Sequence, residues 1–255
     1  MIPTTQNQAT HTRARKVAIV TGASRGIGAE IAKRLAADGF AIAVNYANSA
    51  AEADTLVARI VANGGQAVAI KADVSNAADV RTLFDVTEQQ LGRVDVLINN
   101  AGVMNPSPLA DTSDELFEQT FGINTRGTFN TLREAATRMN DDGRIVNFSS
   151  TALALNLPGY AIYNATKAAV ESFTHVFAKE LRGRNITVNA VAPGPVATEL
   201  FLHGKSEEQI QQFAKMPPLQ RLGQPEDIAN VVSFLVGPDA GWVNGQILRA
   251  NGGLA

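Results

Sequence analysis

Short apolar runs alternate with longer segments of helical periodicity from residue 16 to the end of the chain. Runs such as 17–20 and 94–98 are almost continuously apolar, as expected of parallel strands buried on both faces. The predicted strands span residues 16–21, 41–46, 66–71, 94–99, 144–148, 187–192 and 246–249. The predicted helices span residues 26–38, 50–63, 76–91, 113–139, 160–181 and 225–236. This alternation predicts an α/β fold with one doubly wound domain: a seven-stranded parallel sheet with helices on both faces.

Two segments depart from this alternation. Residues 1–15 are polar, and we expect them to form a flexible lead before a domain that spans residues 16–255. Residues 193–223 form a long irregular stretch that includes the pair Pro217 and Pro218. Irregular stretches of that length inside a compact domain are commonly functional. We therefore predict a substrate lid at about 193–223.

Composition excludes several classes of function. The 255 residues are 45% hydrophobic and 18% charged, with a net charge of −2 and interspersed signs, so neither nucleic acid nor a membrane surface is a predicted partner. No apolar run reaches the ~18 residues of a membrane span. The chain has no cysteine and only three scattered histidines, which argues against a metal site. These features predict a cytoplasmic protein.

A glycine-rich turn follows the first predicted strand. Gly22, Gly26 and Gly28 stand in the spacing Gly-x-x-x-Gly-x-Gly, with Ser24, Arg25 and Ile27 between them. Such a turn alone can be a tight connection only. Its place between the first strand and the first helix, where amide groups and the positive end of the helix can receive a pyrophosphate, predicts a dinucleotide site of the Rossmann type.

The end of the second strand indicates which dinucleotide binds. An acid there would hold the ribose of NAD and repel a 2′-phosphate, but Asn45, Tyr46 and Ser49 stand in a stretch without one. Arg25 can supply positive charge to a phosphate. We therefore predict NADP(H), with NAD(H) and a sugar or alcohol dehydrogenase as the alternative. Arg25 could also be an exposed loop cation, and Asn45 and Ser49 could serve turn geometry alone.

Tyr163 and Lys167 are four residues apart on a predicted helix, so both project from one face. A nearby ammonium favours phenolate, and we expect it to lower the pKa of Tyr163 from about 10. A phenol tuned in this way can act as a general acid or base. A single Tyr-x-x-x-Lys pattern can equally mark a solvated helix face.

Taken in order, these motifs resemble the short-chain dehydrogenase/reductase family, with 3-oxoacyl-[acyl-carrier-protein] reductase-like members among the similar proteins. The resemblance runs from about Lys16 to the carboxyl terminus. The matching positions are residues 21–28, Asp73 and Val74, residues 99–102, Asn124, Ser150, Tyr163, Lys167, Pro193, Gly194 and Thr198.

The resemblance implies cofactor contacts beyond the glycine turn. Asp73, with Val74, would contact adenine, and Asn100, Ala101 and Gly102 would line the wall beside the adenine ribose. Pro193, Gly194, Val196 and Thr198 would form the loop at the nicotinamide end. Read locally, Asp73 could instead cap the next helix, and residues 99–102 could be an ordinary turn after a strand.

The resemblance also implies a catalytic set for interconversion of a carbonyl and a secondary alcohol. Ser150 would donate a hydrogen bond to the carbonyl, and Tyr163 would deliver the proton. Lys167 would lower the pKa of Tyr163 and bind the nicotinamide ribose, and Asn124 would hold a water that relays protons. Ser149 is a rival for the serine role, but the thirteen-residue interval to Tyr163 in the family favours Ser150.

The substrate is predicted only by class. Apolar side chains near the catalytic motifs and in the lid suit a carbonyl on a hydrophobic body, such as a 3-oxoacyl thioester or an apolar ketone, although they could instead close onto the core. They are Met104, Leu153, Leu155, Leu157, Leu200, Phe201, Leu202, Phe213, Met216 and Leu219. The resemblance further implies a homotetramer. A protein that senses NADP(H) without turnover is the alternative outside enzymes.

Overall fold

The computed structural model describes residues 15–255, so the predicted lead over residues 1–15 lies outside the described residues except for Arg15. Within this range the sheet has seven strands in the order β3-β2-β1-β4-β5-β6-β7. Every neighbouring pair is parallel. The strands are β1 (Val17–Val20), β2 (Ala41–Tyr46), β3 (Gln66–Lys71), β4 (Val94–Asn99), β5 (Arg144–Phe148), β6 (Thr187–Pro193) and β7 (Ile247–Ala250). The predicted fold class is confirmed.

The helices connect these strands across both faces of the sheet. They are α1 (Gly26–Ala37), α2 (Ala50–Ala62), α3 (Ala77–Gln90), α4 (Asp114–Phe121), α5 (Gly127–Arg138), α6 (Ala152–Leu155), α7 (Ala161–Glu180), α8 (Glu199–Leu202), α9 (Glu207–Lys215) and α10 (Pro225–Val236). Short 3₁₀ turns occur at Leu109–Asp111 and Pro238–Ala240. None of the helices in residues 15–255 has the length and apolar character needed to cross a membrane.

Two predicted segments differ from the observed elements. The helix predicted over residues 113–139 is interrupted by a π-helical turn, Gly122–Arg126, between α4 and α5. Hydrophobic periodicity does not register one wide turn inside a longer helical run. The stretch predicted as irregular, 193–223, contains α8 and α9. A capping box of Ser206 and Gln209 starts α9, and this start signal is legible in the sequence.

The core consists of two apolar layers, one on each face of the sheet. Side chains alternate across a strand, so Ala18 and Val20 belong to one layer and Ile19 to the other. The first layer packs against α1, α2 and α10, and the second against α3 and α5. All of β1 is buried, which explains its continuous apolar sequence.

The strand order fixes where a ligand can bind. Chain winding changes direction between β1 and β4, which are neighbours in the sheet although two strands separate them in sequence. The connections that leave these two strands therefore diverge and open a crevice at the carboxyl ends of the strands. The predicted site residues lie at the carboxyl ends of β2 and β6, in segments that follow β1 to β6, or in the first two turns of α7.

Candidate active site

Two adjoining cavities occupy the crevice. The glycine-turn cavity is lined by the turn after β1, the end of β2 and residues 72–74. The tyrosine cavity is lined by Tyr163, Lys167 and the residues around them. Six residues line both cavities: Ile27, Asn100, Gly102, Val103, Thr198 and Leu200. One elongated ligand, such as a dinucleotide, can therefore extend from the glycine turn to Tyr163.

The glycine turn has no space for side chains at two of its positions. A Cβ on Gly22, whose φ is +60°, would lie 2.9 Å from the Cα of Ala101. A Cβ on Gly28 would lie 2.5 Å from Nδ2 of the Asn100 side chain. The backbone of this turn therefore stays accessible beside the amino end of α1, where amide groups and the helix dipole favour an anion. This cradle fits a pyrophosphate.

Asn45 supports the turn from within the protein. Its side chain is buried, with Oδ1 accepting from the amide of Gly22 at 3.2 Å and Nδ2 donating to the carbonyl of Ala72 at 3.0 Å. These bonds occupy both ends of the side-chain amide. The Asn45 side chain therefore supports the glycine turn after β1, and its predicted contact with the cofactor phosphate stays a prediction.

The other predicted phosphate contacts are more accessible. Tyr46, Ser49 and Ser24 are partly exposed and line the glycine-turn cavity. Ser49 stands at the amino end of α2, but its hydroxyl makes no capping hydrogen bond. Arg25 is exposed, and its Nη1 lies 3.1 Å from Oε2 of Glu199. Arg25 thus forms an ion pair with an acidic residue of the predicted lid.

Thr21 joins the turn after β1 to the segment after β4. Its hydroxyl accepts from the amides of Asn100 and Ala101 at 3.0 Å each. The side chain of Asn100 returns two hydrogen bonds, to the carbonyls of Thr21 and Gly22. The predicted motif at residues 99–102 is therefore more than a strand-ending turn, because it fixes one wall of both cavities.

Asp73 and Val74 lie after β3 at the opposite wall. The Asp73 carboxylate accepts from the amide and the hydroxyl of Ser75, at 2.9 Å and 2.7 Å. It does not cap α3, because Asn76 accepts from the amides at the start of that helix. Val74 is buried, and its carbonyl accepts from the side chain of Asn130. Both residues line the glycine-turn cavity, and the contact with adenine that the resemblance implies stays a prediction.

Tyr163 and Lys167 project from one face of α7 into the tyrosine cavity. Lys167 is buried, and its Nζ donates to the carbonyl of Phe148 at the end of β5, at 2.8 Å. The same Nζ lies 5.6 Å from the centre of the Tyr163 ring. The predicted juxtaposition of phenol and ammonium is present in the structure.

The predicted effect of this juxtaposition on the phenol is wrong in sign for the structure described. Burial raises the pKa of Tyr163 to about 12, although a hydrogen bond with Ser150 opposes the shift. Burial also lowers the pKa of Lys167 to about 8. Both shifts have the same cause, because a low-dielectric surrounding disfavours whichever form carries charge. The spacing of Tyr163 and Lys167 indicates the neighbouring ammonium but does not show how strongly the phenol is desolvated.

The two neighbouring serines have different partners. The Ser149 hydroxyl is buried and donates to the Glu171 carboxylate at 2.6 Å. The Ser150 hydroxyl accepts from the amide of Ala152 at 3.2 Å and hydrogen-bonds Tyr163. Since Ser149 is held by Glu171, Ser150 is the serine that lies beside the phenol, and its catalytic role stays a prediction.

Asn124 occupies the π-helical turn between α4 and α5. Its Oδ1 accepts from the amide of Val103 at 2.8 Å, and its Nδ2 donates to the carbonyl of Val103 at 2.9 Å and to the hydroxyl of Thr166 at 3.1 Å. Thr166 is the residue before Lys167 on α7. Asn124 therefore links the segment after β4 to the helix that carries the phenol. Its predicted role in holding a water stays a prediction.

A chain of buried polar side chains aligns α5 and α7 with the sheet. Thr131 on α5 donates to Asn99 at 2.7 Å, and Asn99 on β4 donates to Asn147 at 2.8 Å. Asn147 on β5 in turn donates to Thr174 on α7 at 2.9 Å. Buried polar groups are costly without partners, so these bonds favour one arrangement of both helices.

The predicted nicotinamide-side loop follows β6. Pro193, Gly194, Val196 and Thr198 line the tyrosine cavity. A Cβ on Gly194 would lie 2.8 Å from the Cβ of Asn251, so the carboxyl-terminal segment packs directly behind the loop. Thr198 caps α8 by accepting from the amide of Phe201.

The remaining wall of the tyrosine cavity is largely apolar. Of the residues predicted to form the pocket, six line this cavity: Met104, Leu155, Leu157, Leu200, Phe201 and Phe213. The other four predicted residues do not line this cavity: Leu153, Leu202, Met216 and Leu219.

His175 and His203 are exposed and do not line the tyrosine cavity. No group of three or more His, Asp or Glu side chains in residues 15–255 could hold a metal ion.

Sequence reasoning did not identify four residues around the site: Tyr160, Glu171, Glu199 and Asn251. Tyr160 lies three residues before Tyr163, and Glu171 four after Lys167, so helical spacing could have found both. Glu199 directly follows Thr198. Asn251 gives no local signal, because its contact with Thr151 spans 100 residues of sequence.

Comparisons with known proteins show the family to which the chain belongs. A protein-family model described as enoyl-(acyl carrier protein) reductase matches residues 22–255. A short-chain type dehydrogenase/reductase of Picea abies is 45% identical, over 93% of this chain and 92% of that protein. An NADPH-dependent aldehyde reductase-like protein of Arabidopsis thaliana is 42% identical, over 94% of each chain. A short chain dehydrogenase from Burkholderia cenocepacia, crystallised with NADP, superposes with a TM-score of 0.88 and 38% identity, covering 95% of this chain and 99% of that one.

The fold, the glycine turn and the cluster around Tyr163 define an oxidoreductase with a single dinucleotide-binding domain. The chain belongs to the short-chain dehydrogenase/reductase family. The resemblance predicted from the sequence motifs is confirmed at the level of the family.

The lowered pKa of Lys167 predicts a pH dependence of stability. Between about pH 8 and pH 10.5 the unfolded chain keeps the Lys167 proton and the folded chain loses it, so the free energy of unfolding rises with pH in this window. The contribution approaches ~1.4 kcal/mol per pH unit. Urea unfolding of the wild type and of Lys167→Met across this window measures this contribution as the difference between their free energies of unfolding.

Lys179→Met, at an exposed position on α7, is the control, and its free energy of unfolding should rise with pH as in the wild type. A flat difference between wild type and Lys167→Met would contradict the assignment.

Proposed function

We propose that this protein is an NADP(H)-dependent reductase that converts a carbonyl on an apolar body to a secondary alcohol, with Tyr163 as the proton donor. The observation that carries the proposal is the cluster of Ser150, Tyr163 and Lys167 in a cavity that adjoins the glycine-turn cavity, so that a dinucleotide can span both. The NADPH-dependent relative and the NADP-bound structure support the choice of cofactor.

The residues present fit NADP(H). The cradle at Gly22 and Gly28 would hold the pyrophosphate. Arg25 would receive the 2′-phosphate at the end of β2, where residues 45–49 include no acid to repel it. Asp73 would contact adenine, and the loop containing Val196 and Thr198 would contact the nicotinamide end. When bound, NADPH supplies the hydride that reduces the carbonyl carbon.

The raised pKa of Tyr163 keeps the phenol at neutral pH in the protonated form that reduction of a carbonyl requires. With a pKa of about 12 the phenol carries its proton, and it can donate that proton as negative charge develops on the substrate oxygen. Ser150 would hydrogen-bond the same oxygen, because its hydroxyl is beside the phenol. Donors that are already aimed at a developing alkoxide lower the barrier without reorganisation.

Lys167 would act through its charge and its position. Its pKa of about 8 leaves the ammonium predominantly protonated at neutral pH. A cation beside Tyr163 stabilises the phenolate that forms when the proton leaves. The hydrogen bond to Phe148 keeps the ammonium in place during this transfer. We infer that the ammonium stabilises the phenolate after the proton transfer, whereas burial keeps the phenol protonated before it.

The lining of the tyrosine cavity supports an apolar substrate. Aromatic and aliphatic side chains from three segments meet there: Met104 after β4, Leu155 and Leu157 near α6, and Phe201 and Phe213 from α8 and α9. Polar groups concentrate near Tyr163. This distribution suits a ligand with one carbonyl and a hydrophobic remainder, and it includes apolar ketones, aldehydes and 3-oxoacyl thioesters.

Replacement of Tyr163 tests the proposal. We expect Tyr163→Phe to lower kcat for NADPH-dependent reduction about 10²- to 10⁴-fold, because it removes the proton donor. Binding of NADPH, measured by fluorescence titration, should survive. Tyr160→Phe removes the other phenol of the cavity and should have a much smaller effect.

The assay should screen apolar ketones, aldehydes, acyl thioesters and aldoses with both NADPH and NADH. If Tyr160→Phe abolishes reduction and Tyr163→Phe does not, the assignment of the proton donor is wrong. Saturable NADPH binding without turnover on any class would favour a sensor. Preference for NADH and a sugar would favour the dehydrogenase alternative.

We also propose that the protein is a cytoplasmic homotetramer. One surface for association is offered by exposed apolar side chains on α4, α5 and α7, namely Phe117, Phe129 and Val176. The fully exposed Trp242 offers a second.

Sedimentation velocity should give a mass of about four times the 27.0 kDa of the chain. Combined replacement of Phe129 and Val176 by Ser should shift the protein to smaller species. A wild-type monomer at micromolar concentration would contradict this assembly.

A further inference from the structure

An ion pair connects the glycine turn with the predicted lid. Arg25 stands directly before α1, and Glu199 is the first residue of α8, 174 residues later in the sequence. Their charged groups lie 3.1 Å apart, and both residues line the glycine-turn cavity. The pair therefore lies at the rim of the cavity that fits the dinucleotide, and nothing in the proposed chemistry uses Glu199.

This ion pair is weak enough for a ligand to break. The side chains of Arg25 and Glu199 are 63% and 70% exposed, so solvent screens their attraction. Exposed pairs of this kind shift an equilibrium by no more than about fivefold. The Arg25 guanidinium has no other hydrogen-bonding partner among the described residues. A stronger anion that reaches this rim would take over the guanidinium.

A phosphate monoester is such an anion. It carries nearly two negative charges near neutral pH and three acceptor oxygens, whereas the Glu199 carboxylate carries one charge and two oxygens. A guanidinium binds phosphate through two parallel hydrogen bonds. The 2′-phosphate is also the one group that distinguishes NADP(H) from NAD(H), so competition for Arg25 acts on one cofactor only.

We propose that Glu199 is a specificity-determining residue that competes with the 2′-phosphate of NADP(H) for Arg25 and thereby limits the preference for NADP(H) over NAD(H). The inference rests on the proposed binding of NADP(H). It assigns to the lid a direct electrostatic influence on the adenosine end of the cofactor, in addition to its place beside the tyrosine cavity. Glu199→Gln leaves the shape of the rim and removes the competing charge.

Affinity measurements on the intact protein test this role without turnover. Dissociation constants of NADPH and NADH are measured by titrating the fluorescence of the reduced nicotinamide at fixed ionic strength. We expect Glu199→Gln to tighten NADPH binding two- to fivefold and to change NADH binding less than 1.5-fold. Glu208→Gln, an exposed acid of α9, makes the same change in net charge and should alter neither constant.

A double-mutant comparison identifies the mechanism. Arg25→Met should weaken NADPH binding. In that background Glu199→Gln should no longer tighten NADPH binding, because the guanidinium for which the two anions compete is gone. Equal effects of Glu199→Gln on NADPH and NADH, weaker NADPH binding, or the same gain with Met at position 25 would each overturn the inference. Failure of the proposed function gives a different result, in which neither cofactor binds saturably to the wild type.

Discussion

The hydrogen bond from the Lys167 ammonium to the carbonyl of Phe148 is the interaction on which the geometry of the site depends. A buried ammonium is costly unless it has a partner, and here the partner is the last residue of β5. The bond fixes the rotation of α7 against the sheet. Tyr163, one turn earlier, then faces the tyrosine cavity, and Ser150, two residues past Phe148, reaches the phenol.

Other buried polar contacts restrict the same helix from different directions. Thr174 joins α7 to β5 through Asn147, and Thr166 joins it to the π-helical turn through Asn124. Because each contact uses groups that would be costly to bury alone, displacement of α7 would break several bonds together. The phenol is thereby placed before any ligand arrives, and catalysis by fixed donors requires such preorganisation.

Burial gives the two ionisable groups of the site opposite but complementary shifts. The pKa of Tyr163 rises and that of Lys167 falls, so each group moves toward its neutral form. The phenol is held protonated, ready to donate, while the lysine lies close to the point at which its charge can change. This balance is a property of the folded interior, where desolvation is the largest cause of both shifts.

The sequence predicted those features that depend on local pattern. Strands buried on both faces read as apolar runs, so β2, β4 and β5 were predicted with their observed bounds. The glycine spacing located the phosphate cradle, and the Tyr-x-x-x-Lys spacing located the cluster. Contacts between distant segments gave no such signal: the pairing of Arg25 with Glu199 and the use of Asn45 inside the turn depend on the tertiary fold. The predicted direction of the Tyr163 pKa shift was wrong for the same reason, because the spacing of two residues does not show how deeply they are buried.

The pKa of Tyr163 itself tests the account most directly. The chain has three tyrosines, so ¹³C labelling at the tyrosine Cζ gives three resonances, and Tyr163→Phe assigns the one of interest. A titration of the protein without cofactor should leave this resonance in its protonated position beyond pH 10, with a midpoint near the value of about 12 that burial produces. A midpoint below 10 would show that the ammonium outweighs burial and would contradict the account.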